Sequence, residues 1–191
     1  MKVINKELIK RINAVLFFCQ NVKNPYKLKI FKLLFFLDFI HFKKVGRPVT
    51  DLEYYAYKWG PVPIKFLDEI KREALPPGLE ECIEIFSEKD EYTGDDKFTR
   101  FVSRKKPDLK VFTKREQKIL QDLAFIFKEA KADEMSEISH LKNAPWDKTI
   151  REKGQYQKID FLLAIDKEAD IDIETAKERY ESSKEMREFF M

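Results

Sequence analysis

Acyl or phosphoryl transfer by a side-chain nucleophile needs a serine or cysteine beside a histidine. The 191-residue chain has two cysteines, Cys19 and Cys82, and two histidines, His41 and His140. Ser139 and His140 are sequence neighbours, and adjacent residues on a helix point in different directions. Cys19 falls in an apolar stripe, where a buried thiol is inert. A Cys82–His140 pairing in space stays open at this level. Zinc needs clustered Cys and His, and these four residues are scattered. Phosphate loops need glycines close together; Gly46, Gly60, Gly78, Gly94 and Gly154 never fall within ten residues of each other. That excludes both the G-x-G-x-x-G and the Walker loop. No catalytic set, no metal site and no cofactor are expected, and the chain reads as a non-enzyme.

What remains is aromatic. Tyr54, Tyr55, Tyr57 and Trp59 lie close together, and His140 is followed by Pro145 and Trp146. Such residues either close the core or anchor a partner, because tryptophan and tyrosine are enriched at binding hot spots. Both readings stay open for His140 with Trp146 and for the tyrosine cluster. His41, alone in an apolar run, reads as a packed or boundary residue.

The elements that must position these residues are mostly helices. Hydrophobic residues make up 43% of the chain, enough for a core, and the length fits one domain. Two cysteines fit a reducing compartment, and the amphipathic N-terminus lacks a signal-type cleavage site, so a cytoplasmic location is expected. Residues 4–20 and 26–44 carry helical apolar spacing. The second of these is apolar nearly all round, so it is expected at the centre of the fold. Its most apolar run, Ile30 to Phe42, is interrupted by Lys32, Asp38 and His41 and is too short to span a bilayer.

Thr50-Asp51-Leu52-Glu53 has the form of a capping box and predicts a short helix from Asp51, stopped at Gly60-Pro61. A helix over about 63–74 should follow. Residues 83–87 and 98–103 alternate apolar and polar, predicting one antiparallel hairpin near 82–104 with a long mobile loop between its strands. Thr113-Lys114-Arg115-Glu116 is a second capping box and opens a helix to about Ala130. Helices are further expected near 134–142 and 173–190, with residues 146–165 ambiguous. The expected fold is mainly α (α+β): a compact domain of six to seven helices with one small hairpin. Residues 1–150 form the domain, and 151–191 add an extension whose amphipathic helix packs on it.

Charge is uneven although the net is only +3. Residues 1–50 carry eleven Lys/Arg against Glu7 and Asp38, and residues 100–118 carry eight against Asp108 and Glu116. The last 32 residues are acidic. Basic faces of this kind either bind nucleic acid or are solvated helix faces neutralised by acidic segments of the same chain.

Three segments together resemble a known family. They are Lys32-Leu33-Leu34-Phe35-Phe36-Leu37-Asp38 with His41 and Gly46-Arg47-Pro48-Val49-Thr50; Tyr54 and Ala56 running into Trp59-Gly60-Pro61-Val62; and Ser139-His140 followed by Trp146. Their order and spacing resemble the Panacea domain of SocA-type and phage-associated antitoxins, over about residues 5–150. Phe36-Leu37 before Asp38 and Lys58-Trp59 before Gly60 depart from the family pattern. The resemblance implies a helical, non-enzymatic protein that neutralises a toxin, usually by direct complex formation with an adjacently encoded partner. Some members resemble adaptors that deliver the toxin to a protease. On this basis Tyr55, Trp59, His140 and Trp146 are expected to contact the partner. Asp38, Gly46, Pro48, Thr50, Gly60 and Pro61 are expected to hold the structure. DNA binding through residues 1–50 and 100–118 is the competing expectation.

Overall fold

A computed structural model describes residues 5–89 and 96–190. Helix α1 (Lys6–Asn21) starts at Asn5, whose side chain accepts the Leu8 amide. Helix α2 (Lys27–Val45) is the axis of the molecule. It touches α1, a fourth, fifth and seventh helix and one strand of each of two hairpins. That is why its sequence is apolar on nearly every face: Ile30, Phe31, Leu33, Leu34, Phe35, Leu37, Phe39 and Phe42 are all buried.

Four polar residues of α2, Lys29, Lys32, Asp38 and His41, are buried too, and each has a hydrogen-bond partner. Lys29 Nζ donates to the carbonyls of Lys23, Lys128 and Ala130 at 2.8–3.1 Å. His41 Nδ1 lies 2.7 Å from the Arg47 carbonyl. Asp38 accepts four hydrogen bonds, from the amides of Val49 and Thr50 (both 2.8 Å), from Thr50 Oγ1 (2.6 Å) and from the Tyr54 hydroxyl (2.7 Å). Burial pushes the Asp38 carboxyl up to about 6, against the pull of these four donors.

Those bonds overturn the expected helix at Asp51. Thr50 is not a helix cap: its hydroxyl is given to Asp38. The residues after it form strand β1 (Tyr55–Tyr57), paired antiparallel with β2 (Gly60–Val62) through a Lys58-Trp59 turn. The far side of β1 is also bonded. Ala56 donates to Gln157 O, while Tyr156 and Ile159 donate to Ala56 O and Tyr54 O, all at 2.8 Å. The Tyr and Val content favours a strand once tertiary partners exist. Gly60 therefore does not end a helix, although its φ of +112° is indeed outside the range of other residues.

Helix α3 (Ile64–Lys71) is shorter than expected. The second hairpin, β3 (Ile83–Lys89) with β4 (Asp96–Ser103), is the one legible in the sequence, and its strands run further toward the turn than expected. The loop expected over Lys89 to Lys97 begins and ends in strand, and residues 90–95 lie outside the described residues. A lone hairpin is marginal; here the Phe101 amide donates to Pro25 O at 3.0 Å and the Phe101 ring stacks on Phe66.

A 3-10 turn (Leu109–Val111) leads into α4 (Lys114–Ile126), and the capping box at Thr113 and Glu116 is present as expected. Helix α5 (Ala132–Ser139) and helix α6 (Pro145–Lys153) follow. The ambiguous stretch thus holds α6, the strand-like pairing with β1 and a 3-10 turn at Phe161–Ala164. Helix α7 (Ile173–Phe190) matches its expected bounds. Ala176 and Tyr180 are buried, and Phe161 packs between Phe39, Phe42 and Tyr180 with ring centroids 4.5–5.5 Å apart. Phe189, in contrast, is exposed. At the end of α2, Gly46 (φ +70°) lets α7 come close, since a Cβ there would lie 2.9 Å from Ala176 Cα.

The described architecture is mainly α, with seven helices and two small antiparallel hairpins rather than one. No helix among the described residues is long and apolar enough to cross a membrane.

The basic stretch 1–50 is not one surface. Arg11, Lys29 and Lys32 are buried. Arg11 makes a bidentate pair with Glu69 (2.9 and 3.1 Å), and its Nε lies 3.1 Å from Asp51 Oδ1 without hydrogen-bond geometry. Lys43 and Lys44 pair with Asp166 and Asp170 of the acidic C-terminal segment. At these positions the neutralised reading of the charge pattern holds.

Candidate functional site

The motif segments meet at the β1–β2 turn. Lys32 is 1% exposed, and its ammonium donates to the Trp59 carbonyl at 2.6 Å. Burial lowers its pKa to about 8. From α5, Ser136 Oγ lies 3.2 Å from the same carbonyl. Next to it, Gly60 presents its Cα to three polar atoms. A Cβ there would lie 2.9 Å from Lys32 Nζ, 3.0 Å from Ser139 Oγ and 3.4 Å from His140 Nε2. Lysine, glycine, serine and histidine from three separate motif segments thus converge on one point.

Around this joint the aromatics are arranged in order of exposure. His140 stacks on Trp146, with centroids 3.6 Å apart and planes 16° apart. Trp146 Nε1 donates to Tyr57 O at 3.0 Å, so the ring is held at a fixed height over β1. Trp59 stands outside, 64% exposed, with Lys58 Nζ 4.7 Å over its ring. Ile138 and Leu141, on and just after α5, are exposed as well. Burial, and secondarily the nearby Lys32 charge, hold His140 below the ordinary histidine pKa, so at neutral pH it is an uncharged stacking surface.

Of the four residues expected to contact a partner, three come together: Trp59, His140 and Trp146. Tyr55 does not join them. It lines a separate groove of about 550 Å³ with Phe161 and Tyr180. Asp38, Thr50, Gly46 and Gly60 sit at structural junctions, as described. Pro48 is half-buried in the loop held by Asp38, and Pro61 is buried in β2. Lys32 was not singled out from the sequence as a site residue, although a lysine inside an otherwise apolar helix is a readable signal of a buried polar contact.

The arrangement offers little for nucleophilic chemistry. Ser139 Oγ donates to the Ser136 carbonyl at 2.8 Å, and Ser139 is 1% exposed. The ring partner of His140 is Trp146, while Cys82 is buried at the foot of β3. Burial pushes the Cys19 thiol up to about 12. Among the described residues no group of three Cys, His, Asp or Glu is placed to hold a metal.

One prediction follows from Gly60. Gly60→Ala combines a forbidden φ with a Cβ driven against buried polar atoms. It is expected to lower stability by about 2–4 kcal/mol, the sum of backbone strain and local overpacking. Urea denaturation followed by circular dichroism measures it; a loss below about 1 kcal/mol would show that the turn can relax.

Fold and joint together define the class: a mainly helical domain in which a two-residue β-turn is clamped between a buried lysine and a serine–histidine pair. The family model for the SocA-like antitoxin Panacea domain matches residues 30–147. That is more than half of the chain, and the chain belongs to this family. The matched span contains the whole joint, from Lys32 to Trp146, together with Asp38 and its partners. No curated protein and no solved structure matches the chain.

Proposed function

We propose that this protein is the antitoxin of a toxin–antitoxin pair and neutralises its toxin by direct binding, without chemistry of its own. The observation that carries the reading is Trp59: a large, exposed aromatic on a turn that a buried lysine, α5 and a glycine-dependent contact hold rigid. A backbone fixed before binding loses little entropy on association, and aromatic anchors presented on such a turn dominate interface energies. The stacked His140–Trp146 pair and the exposed Ile138 and Leu141 extend the surface. The family name supports a toxin as the kind of partner, and the exposed, held turn supports this surface as the contact.

The test is co-expression with the product of the adjacent open reading frame, with a tagged copy of this chain used for pull-down. Growth rescue with a stable stoichiometric complex is the expected result. Rescue with disappearance of the partner would replace direct neutralisation by delivery to a protease. A harmless neighbour that forms no complex would contradict the reading.

A further inference from the structure

We propose that the groove between the start of α4, the middle of α7 and the loop after α2 is a binding site for a compact phosphorylated anion, a di- or triphosphate ester. The groove is open on one side and has a volume of about 770 Å³, within the range of small-molecule sites. Arg47, Lys114, Arg115 and Arg179 line it. All four are exposed, and none pairs with a carboxylate among the described residues. The neighbouring lysines behave differently: Lys10, Lys43 and Lys44 are all matched to acidic partners. Unmatched like charges from three separate stretches of chain are therefore gathered in one recess. They repel one another until an anion occupies it.

The backbone beneath these cations is fixed by buried contacts. The Arg47 carbonyl accepts from His41 Nδ1, which must carry the proton because a carbonyl can only accept. Two residues on, the amides of Val49 and Thr50 are held by Asp38. Glu116, 3% exposed, accepts Lys10 Nζ at 2.6 Å on one oxygen and the Thr113 amide at 2.7 Å on the other, which anchors the chain at Lys114 and Arg115. Gly46 allows α7 to approach, and Arg179 Nη1 lies 3.4 Å from the Val45 carbonyl. The backbone roots of Arg47, Lys114 and Arg115 are thus set in place, and the Arg179 guanidinium is oriented by one carbonyl, while its remaining N–H groups and the other three heads face the recess without a carboxylate partner among the described residues.

Charge and shape narrow the ligand. The carboxylates lining the groove are Glu7 and Glu116, and Glu116 is already matched by Lys10. Four free cations against one carboxylate suit an anion of three or four charges better than a monophosphate. Three of the four are guanidiniums, whose planar forks match phosphate oxygens in pairs. Duplex nucleic acid is read by elements that project into its grooves, whereas these side chains line a recess. Charge counting along the sequence placed Arg179 in an acidic segment, so the cluster is visible only in three dimensions.

Isothermal titration of the full chain with sodium tripolyphosphate, with ATP and with a single-stranded oligonucleotide tests the proposal. Tripolyphosphate and ATP are expected to bind at one site, more weakly as salt is raised. Arg115→Ala and Arg179→Ala should each weaken binding about tenfold, as expected for loss of a charge-assisted hydrogen bond. Lys118→Ala, on α4 but outside the groove and paired with Asp122, should leave it unchanged. All three positions are exposed, and circular dichroism would verify that the variants fold. Absence of tripolyphosphate and ATP binding, or equal binding by all variants, would overturn the proposal. Oligonucleotide binding without tripolyphosphate binding would also overturn it and assign the cations to nucleic acid.

Discussion

Asp38→Ala is expected to remove about 3–5 kcal/mol of stability, enough to unfold a domain of ordinary stability under mild conditions. The carboxylate is completely buried, and its removal leaves two backbone amides and two hydroxyls without an acceptor. Each orphaned buried donor costs about 1–3 kcal/mol, and a cavity of carboxylate size adds to it. The effect should spread beyond the site, because the same four bonds fix the loop after α2 and the start of β1. Urea titration with two probes would measure it, and a loss below about 1 kcal/mol would show that water replaces the carboxylate.

The same residue sets a pH dependence. Its folded pKa, near 6, is raised above the ordinary carboxylate value of about 4. The folded state therefore binds the proton more tightly than the unfolded state does. The associated stability is present below about pH 4 and is lost as pH rises through 6. Measured against Asp38→Asn, which does not titrate, the natural protein should lose on the order of 2 kcal/mol of relative stability between pH 4 and 7. A flat difference across that interval would mean that the donors fully offset burial.

The second large effect concerns binding. Trp59→Ala is expected to weaken the proposed toxin complex about 30-fold or more, the loss usual for a hot-spot tryptophan. Trp59 is 64% exposed and its carbonyl, not its ring, makes the structural contacts, so its removal should leave the unfolding midpoint nearly unchanged. Trp146 is different. Its Nε1 holds Tyr57 O and its ring supports His140, so Trp146→Ala should reduce both affinity and stability. Trp146→Phe keeps a ring under His140 and loses only the indole N–H, which separates the two contributions. Titration of purified toxin into each variant reads the affinities. Wild-type affinity in Trp59→Ala would move the interface away from this turn.

Six of the seven described helices were legible because their apolar faces recur at helical spacing; α7 and the Thr113 capping box are as the sequence predicts, while α6 lies in the stretch that stayed ambiguous. The β1–β2 hairpin was not. Thr50 to Glu53 has the local form of a helix start, and only Asp38, twelve residues back, decides that the hydroxyl goes elsewhere. Its other support comes from residues 156–159, about a hundred residues further on. Local pattern carries no trace of such pairings. The joint shows the same division. Trp59, His140 and Trp146 were readable as aromatics of motif segments, but their meeting point is set by Lys32 and Gly60, whose roles appear only when the segments are folded together. Tyr55 looked equivalent to Trp59 in sequence, yet it lines a separate groove.

Amide hydrogen exchange of this chain, alone and saturated with the proposed toxin partner, tests the central claim most directly. Direct binding at the clamped turn predicts new protection at residues 57–60 and 136–146, with the groove at Arg47 and Lys114 unchanged. Protection confined to other segments, with 57–60 exchanging as in the free protein, would contradict it.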